Sequence, residues 1–368
     1  MSRSAPSASR ERILAALEHR PPDRLPMIDL SFWPETLARW AAEGYPAGAD
    51  PVDYFGLDRL ACINDLFDPS FGLPPRNLER TAEYSIDVDR YGKTVKSWTD
   101  SYHPPCTLEP AIRNWDDWRR LKPALTPSPA KLNNPAAEAE YRQAQASGLF
   151  TAITPAEPLW FVLHLTMGFE EGLSAMADQP DLVADMVATY TDYLLGMLEI
   201  TREQGYRFDA IWFWSDLCYR GGMLFSPQAA RDLVLDHWKR LGEYAHHRGM
   251  HYMFHCDGDV HELIPLLIEA GCGAIHPLEA RAGNDVREYK RLYGDRMCFI
   301  GNIDADVVAT GDPDAIEREV ADKVPTAAAG GGYIYHIDHS VPPTVCLRAY
   351  EHLLSCVRRF GDAGRKGR

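Results

Sequence analysis

Residues 250–258 read MHYMFHCDG, and three later stretches repeat the plan: GAIHPLE at 273–279, MCFIGNID at 297–304 and YIYHIDH at 333–339. Each is a short apolar run of strand length that ends on polar residues, and a helical pattern separates each from the next. Working outward, LFTAITP at 149–155 and DAIWFWSD at 209–216 follow the same plan. Strand alternating with helix predicts parallel strands joined by crossover helices. These six runs, with LPMIDL at 25–30 as a seventh strand and residues 60–63 as an eighth, predict an α/β fold: a single (β/α)8 TIM barrel over residues 1–368. The alternative, an open doubly wound sheet, usually carries a glycine-rich first turn for a nucleotide, and this chain has none.

The text between the strands carries ordinary boundary signals. RERILAALEHR, residues 10–20, reads as a helix stopped by Pro21 and Pro22, after a frayed start, and residues 34–43 are amphipathic. Ser226 with Pro227 opens a helix expected to run to about His247, with Gly249 just past its end. Gly330, Gly331 and Gly332 precede a strand, so they read as a C-cap and tight turn and not as a phosphate loop. Residues 50–129 are less regular. Within them DVDRYGKTVKSWTD, residues 87–100, predicts a hairpin turning at Gly92, part of an N-terminal excursion over the barrel mouth.

Composition excludes several classes of function. With 45% hydrophobic residues the chain can bury a large core, and a formal net charge of -15 repels a phosphate backbone, so no nucleic-acid partner is expected. No run approaches the roughly 20 apolar residues of a membrane span, and no leader pattern precedes the first helix, so a cytoplasmic protein is expected. None of the eight cysteines falls in a C-x-x-C pair. They read as small buried apolar residues, not as structural zinc ligands or disulfides.

Chemistry collects where the strands end: Asp216, then His255 and Asp257, then Glu279, then Asn302 and Asp304, then Asp338 and His339. In parallel α/β proteins the carboxyl ends of the strands face the ligand, so these residues are expected around one pocket. A single Asp there is as readily a turn residue or helix cap; five strands behaving alike make the site signature. Residues two apart share a face, which puts His255 with Asp257 and turns Cys256 toward the helices. Trp212, Trp214 and Asp216 share a face in the same way, and the two indoles either line a pocket for a flat substrate or pack the barrel interior. His255, Asp257 and His339, or Asp338 in its place, offer ligands for zinc or another divalent metal. The same residues without a metal make an acid/base array.

The segments FHCDGDVHELIPLLIEAGCGAIHPLE (254–279), YKRLYGDRMCFIGNID (289–304) and GGGYIYHIDHSVPPTV (330–345) resemble the uroporphyrinogen decarboxylase superfamily, which includes corrinoid-linked methyltransferases. The resemblance extends less tightly over residues 209–234 and 10–26, most of the chain. It implies a (β/α)8 barrel and a homodimer. The decarboxylases carry an arginine-bearing motif after the first strand, whereas residues 29–35 here read DLSFWPE, without arginine, so uroporphyrinogen is expected to be a poor substrate. The thiol-directed methyltransferases carry His-x-Cys with a later Cys on zinc. This chain has His255-x-Asp257, then Asp338 and His339, a harder ligand set.

The leading expectation is a methyltransferase-like enzyme that moves a methyl group from a small methylated or aromatic substrate to a corrinoid on a separate protein, since no D-x-H-x-x-G segment is present. His255 and His339 act as ligands or acids and Asp257 as ligand or orienter. Asp216 and Glu279 position substrate, as do Trp212, Trp214, Asn302 and Asp304. The alternatives are a decarboxylase acting on a tetrapyrrole or another acid, and a non-catalytic corrinoid- or tetrapyrrole-binding protein.

Overall fold

Alternation sorts the strand side chains into two apolar layers. Tyr252, Phe254 and Cys256 join Ile211, Phe213 and Ile275 in the layer that meets the helices. Trp212, Met253, Ala274, Cys298 and Ile334 form a second layer inside the curl of the sheet. The structure, a computed structural model, describes residues 6–99 and 105–363. Its strands are β1 (Leu60–Ile63), β2 (Arg76–Arg80), β3 (Tyr84–Val88), β4 (Thr94–Trp98), β5 (Cys106–Glu109), β6 (Phe150–Ile153), β7 (Ala210–Trp214), β8 (Cys218–Tyr219), β9 (Gly222–Met223), β10 (His251–Cys256), β11 (Ala274–Pro277), β12 (Cys298–Ile300) and β13 (Tyr333–Ile334). Seven of them make one parallel sheet in the order β1-β6-β7-β10-β11-β12-β13, with helices between successive strands, as the alternation requires.

The expected strand at 25–30 is reduced to an isolated bridge between Met27 and Tyr335, beside β13. Pro26 has no N–H to give a ladder, and further on side chains replace backbone partners. Asp29 Oδ1 accepts from the Ile337 N–H at 2.8 Å, and His336 Nε2 accepts from the Leu30 N–H at 3.1 Å. On its other flank the segment is hydrogen bonded, among the described residues, to the approach to β1 at its foot, where the Asp58 N–H donates to Met27 O at 2.7 Å and Asp58 Oδ2 accepts from the Met27 N–H at 2.9 Å. Above that point a cleft lined by Leu30, Leu60, Ala61, Cys62 and Trp214 runs along the seam. The sheet is therefore barrel-like with one unbonded seam.

The helix Pro6–Leu17 seals the bottom of the sheet, with Ile13, Ala16 and Leu17 packed into the interior layer and Arg10 paired to Asp209 at the foot of β7. The expectation of a frayed start before residue 10 is corrected for residues 6–9, which already belong to the helix, while residues 1–5 lie outside the described residues. Gly331 and Gly332 have φ of 82° and 68°, and a Cβ on either would meet His19 at 2.7 Å or less, so they make a turn pressed against the end of this helix. Ser226 caps its helix through the Ala229 N–H as expected, but the helix breaks at Val234 into Pro227–Leu233 and Leu235–His247. The hairpin at Gly92 is β3 paired with β4, within a four-stranded antiparallel sheet. Its turn residues Arg90 and Tyr91 reach Asn64, Asp65 and Thr154, just beyond the ends of β1 and β6.

Candidate active site

Register decides which side chains meet. His255 on β10 lies directly across from Trp214 on β7 and His276 on β11, and their rings converge on the inside of the sheet at its carboxyl end. The Trp214 ring stacks on His255 at 4.5 Å with 23° between planes. His255 Nδ1 lies 2.8 Å from His276 Nδ1, so one nitrogen donates and the other accepts. That contact turns His255 Nε2 outward to Asp216 Oδ1 at 3.4 Å and Asp257 Oδ1 at 3.9 Å.

Asp216, His255 and Asp257 place one ligating atom each within 4.8 Å of one another. Asp257 Oδ1 is buried without a hydrogen-bond partner, and an oxygen in that condition calls for a cation or donor that the chain itself does not supply. Two acidic oxygens and an imidazole nitrogen suit a divalent metal of intermediate hardness. The residues present therefore fit a metal. Asp257 Oδ2 faces His339 Nε2 at 3.6 Å. Burial pushes the Asp257 carboxyl up, but the facing His339 and the nearby His255 win and hold it below the usual range. The same pairing with Asp257 raises the His339 imidazole against the cost of burial. Of the ligand set read from the sequence, His255 and Asp257 come together, while Asp216 stands where His339 was expected.

Other expected site residues serve the scaffold. Asn302 is fully buried, with φ 81°, and its amide donates to Leu278 O and Asn284 O and accepts from the Val286 N–H. No group is left for substrate, so its assignment as a substrate-binding residue is corrected. Asp304 caps the helix Ala305–Ala309 through the Asp306 and Val307 N–H groups, which occupies one of its two carboxylate oxygens with a scaffold role. Trp212 is fully buried in the interior layer, one level below Trp214, and packs edge-to-face with His276, which corrects it from pocket wall to core. Asp338 accepts from the Ala280 and Ala305 N–H groups, tying together the loops after β11 and β12, and burial pushes its carboxyl up to about 6. Glu279 Oε2 accepts from the Gly258 N–H at 2.8 Å and so steadies the loop behind Asp257. Cys256 is buried against the helices, as its position in the alternation requires.

Three buried titratable groups near the cluster were missed in the sequence. His276 is fixed against His255, and His336 meets His276 edge-to-face at 4.4 Å. Burial drives His276 well below the ordinary imidazole range and pushes His336 down to about 3, so both are neutral. Glu157 is fully buried and accepts from Trp238 Nε1 at 2.6 Å, Ser215 Oγ and the Trp160 N–H, and burial raises its carboxyl. The signal for the histidines lay in the alternation already used at 255 and 257: His276 and His336 occupy inward positions of their own runs.

Residues 100–360 match the family model for uroporphyrinogen decarboxylase (URO-D). The match takes in more than half of the chain, which therefore belongs to the uroporphyrinogen decarboxylase family. No curated protein matches it significantly. Among solved structures, a methyltransferase from Methanosarcina mazei is similar over 96% of this chain and 98% of its own, with a TM-score of 0.58 and 15% identity, which shows a shared fold. A sugar phosphate isomerase/epimerase from Parabacteroides distasonis is similar over 61% of this chain and 76% of its own, at 11% identity and a TM-score of 0.32. Among the described residues, no helix is long and apolar enough to cross a membrane.

Proposed function

We propose that the protein is a methyltransferase-like enzyme of its family, which detaches a methyl group from a small methylated or aromatic substrate and passes it to a corrinoid on a separate protein. In this reading residues 25–30 complete a (β/α)8 barrel, and the sheet of β2 to β5 covers part of its mouth. The observation that carries the proposal is the convergence of Asp216, His255 and Asp257 around an unpartnered buried oxygen at the carboxyl end of the sheet.

Asp216, His255 and Asp257 would hold a divalent metal, zinc by preference of the donor set, and when bound it supplies Lewis-acid polarisation of the heteroatom that leaves the methyl group. His276 accepts the His255 Nδ1–H, which keeps the lone pair on Nε2 at the face shared with the two carboxylates. His339, whose imidazole the facing Asp257 carboxylate raises, can hold a proton at Nε2 on the open side of the site. Trp214 excludes water from one face of His255.

Elemental analysis of purified protein and of three variants tests this. His255→Ala and Asp257→Ala are each expected to lose the metal and methyl transfer, while Cys256→Ser keeps both because its thiol faces the helices. Full activity in metal-free parent protein, with a titration in the histidine range that His255→Ala abolishes, would instead make His255 a general acid.

A further inference from the structure

Beside the metal-type cluster lies a cavity of about 260 Å³ between the ends of β1, β6 and β7. Its walls are mainly flat and apolar: Trp160, Trp214, Tyr91 and Phe67. Trp214 is shared with the site, since its ring also stacks on His255. Trp160 stacks on His164 at 4.4 Å, and Asp216 lies close enough to that imidazole to bias it electrostatically. The cavity is thus a neighbouring compartment of the same centre.

The polar groups lining it are mostly spent on each other. Arg90 pairs with Asp65 at 2.7 Å and lies over the Tyr91 ring, and the Thr154 hydroxyl bonds to Asn64 Oδ1. Among the described residues of the wall, two donors are buried without a partner. The Tyr190 hydroxyl is fully buried with no partner, and its ring is clamped parallel to Phe161 at 4.0 Å, so it cannot swing to find one. Trp214 Nε1 is likewise buried and unpartnered. Two unpaired donors in an aromatic slot are costly unless something brings them an acceptor.

We propose that this cavity binds an uncharged, single-ring aromatic molecule carrying an oxygen acceptor, received by Tyr190 and Trp214, as the body of a substrate whose reacting end lies beside His255. Size sets the single ring, because drug-sized ligands occupy roughly 300–1,000 Å³ and this space is smaller. Neutrality follows from the ion pair: the only guanidinium on the wall already has its carboxylate, and Asp68 adds a further negative charge nearby. The role as substrate body rests on the proposed methyl-transfer reading; the binding itself does not.

The test is calorimetric titration of the full chain with methoxybenzene, toluene and benzoate. Methoxybenzene is expected to bind one to one, and Tyr190→Phe, which removes one oxygen and keeps the ring, should weaken it about five- to tenfold while leaving toluene unchanged. Equal binding of methoxybenzene by parent and Tyr190→Phe overturns the proposal, as does benzoate binding more tightly than methoxybenzene. Asp257→Asn separates the two readings: unchanged methoxybenzene binding in a variant that has lost activity supports the cavity as an independent binding site. Retained activity in Asp257→Asn with the cavity intact removes the metal reading alone.

Discussion

At the scale of single residues, the contact that matters most is 2.8 Å between two ring nitrogens. Burial among the Trp212, Trp214, His255 and His336 rings keeps His276 neutral, and in the proposed metal site its Nδ1 would be the acceptor for His255. It is a positioning residue for His255. His276→Phe is expected to weaken cobalt or zinc binding about 10- to 100-fold, the usual cost of losing such an orienting partner, whereas His276→Asn, with an amide oxygen near the Nδ1 position, should recover most of it. Equal metal affinity in all three proteins would remove the positioning role. The sequence revealed His255, Asp257 and the outward turn of Cys256 because one strand was read by its two-residue period. It concealed His276 and His336 because, in the other runs, the terminal polar residue is the stronger signal and an inward histidine before it reads as one more core position. Asn302 misled for a related reason: a polar strand end looks the same whether its side chain faces a ligand or satisfies buried backbone.

At the scale of elements, the junction of residues 25–30 with the segment after β13 depends on a carboxyl group. Asp29 is fully buried, and it accepts from the Ile337 N–H, Tyr350 Oη–H at 2.5 Å and Tyr335 Oη–H at 3.3 Å. Burial outweighs those donors and pushes the carboxyl up to about 7 from its ordinary value near 3.8. The folded protein therefore holds this proton more tightly than the unfolded chain. Its contribution to stability is complete below about pH 4 and is lost as pH rises through about 7. Asp29→Asn has no such proton, so the Tm of the parent relative to the variant is expected to fall between about pH 4 and pH 7 and to level off above. A constant difference across that range would show that the group titrates normally. This junction was only half legible beforehand: an apolar hexapeptide looked like a strand, and nothing in it announced that side chains would replace its ladder. The crossover alternation after residue 149 was legible because each strand is bounded by its own helix signals.

At the scale of the whole molecule, the parallel sheet has bonded neighbours everywhere except along one line. β10 is flanked on both edges by β7 and β11, whereas β1 is paired only with β6, and among the described residues the segment opposite is pinned to it at the foot. Hydrogen exchange should read this directly: amides of β1 that point toward the cleft are expected to exchange faster than those of β10, and equal protection would mean that the gap is closed in solution. Mechanically, a hoop resists widening because every chord around it is tied, but a slit collar opens at its lips when a small torque is applied. Here the slit begins above its one fastening and reaches Trp214, the wall common to the cleft, the aromatic cavity and His255. Spreading the lips breaks no ladder bond, so the aperture beside that indole can adjust its bore to whatever passes it at little cost in enthalpy.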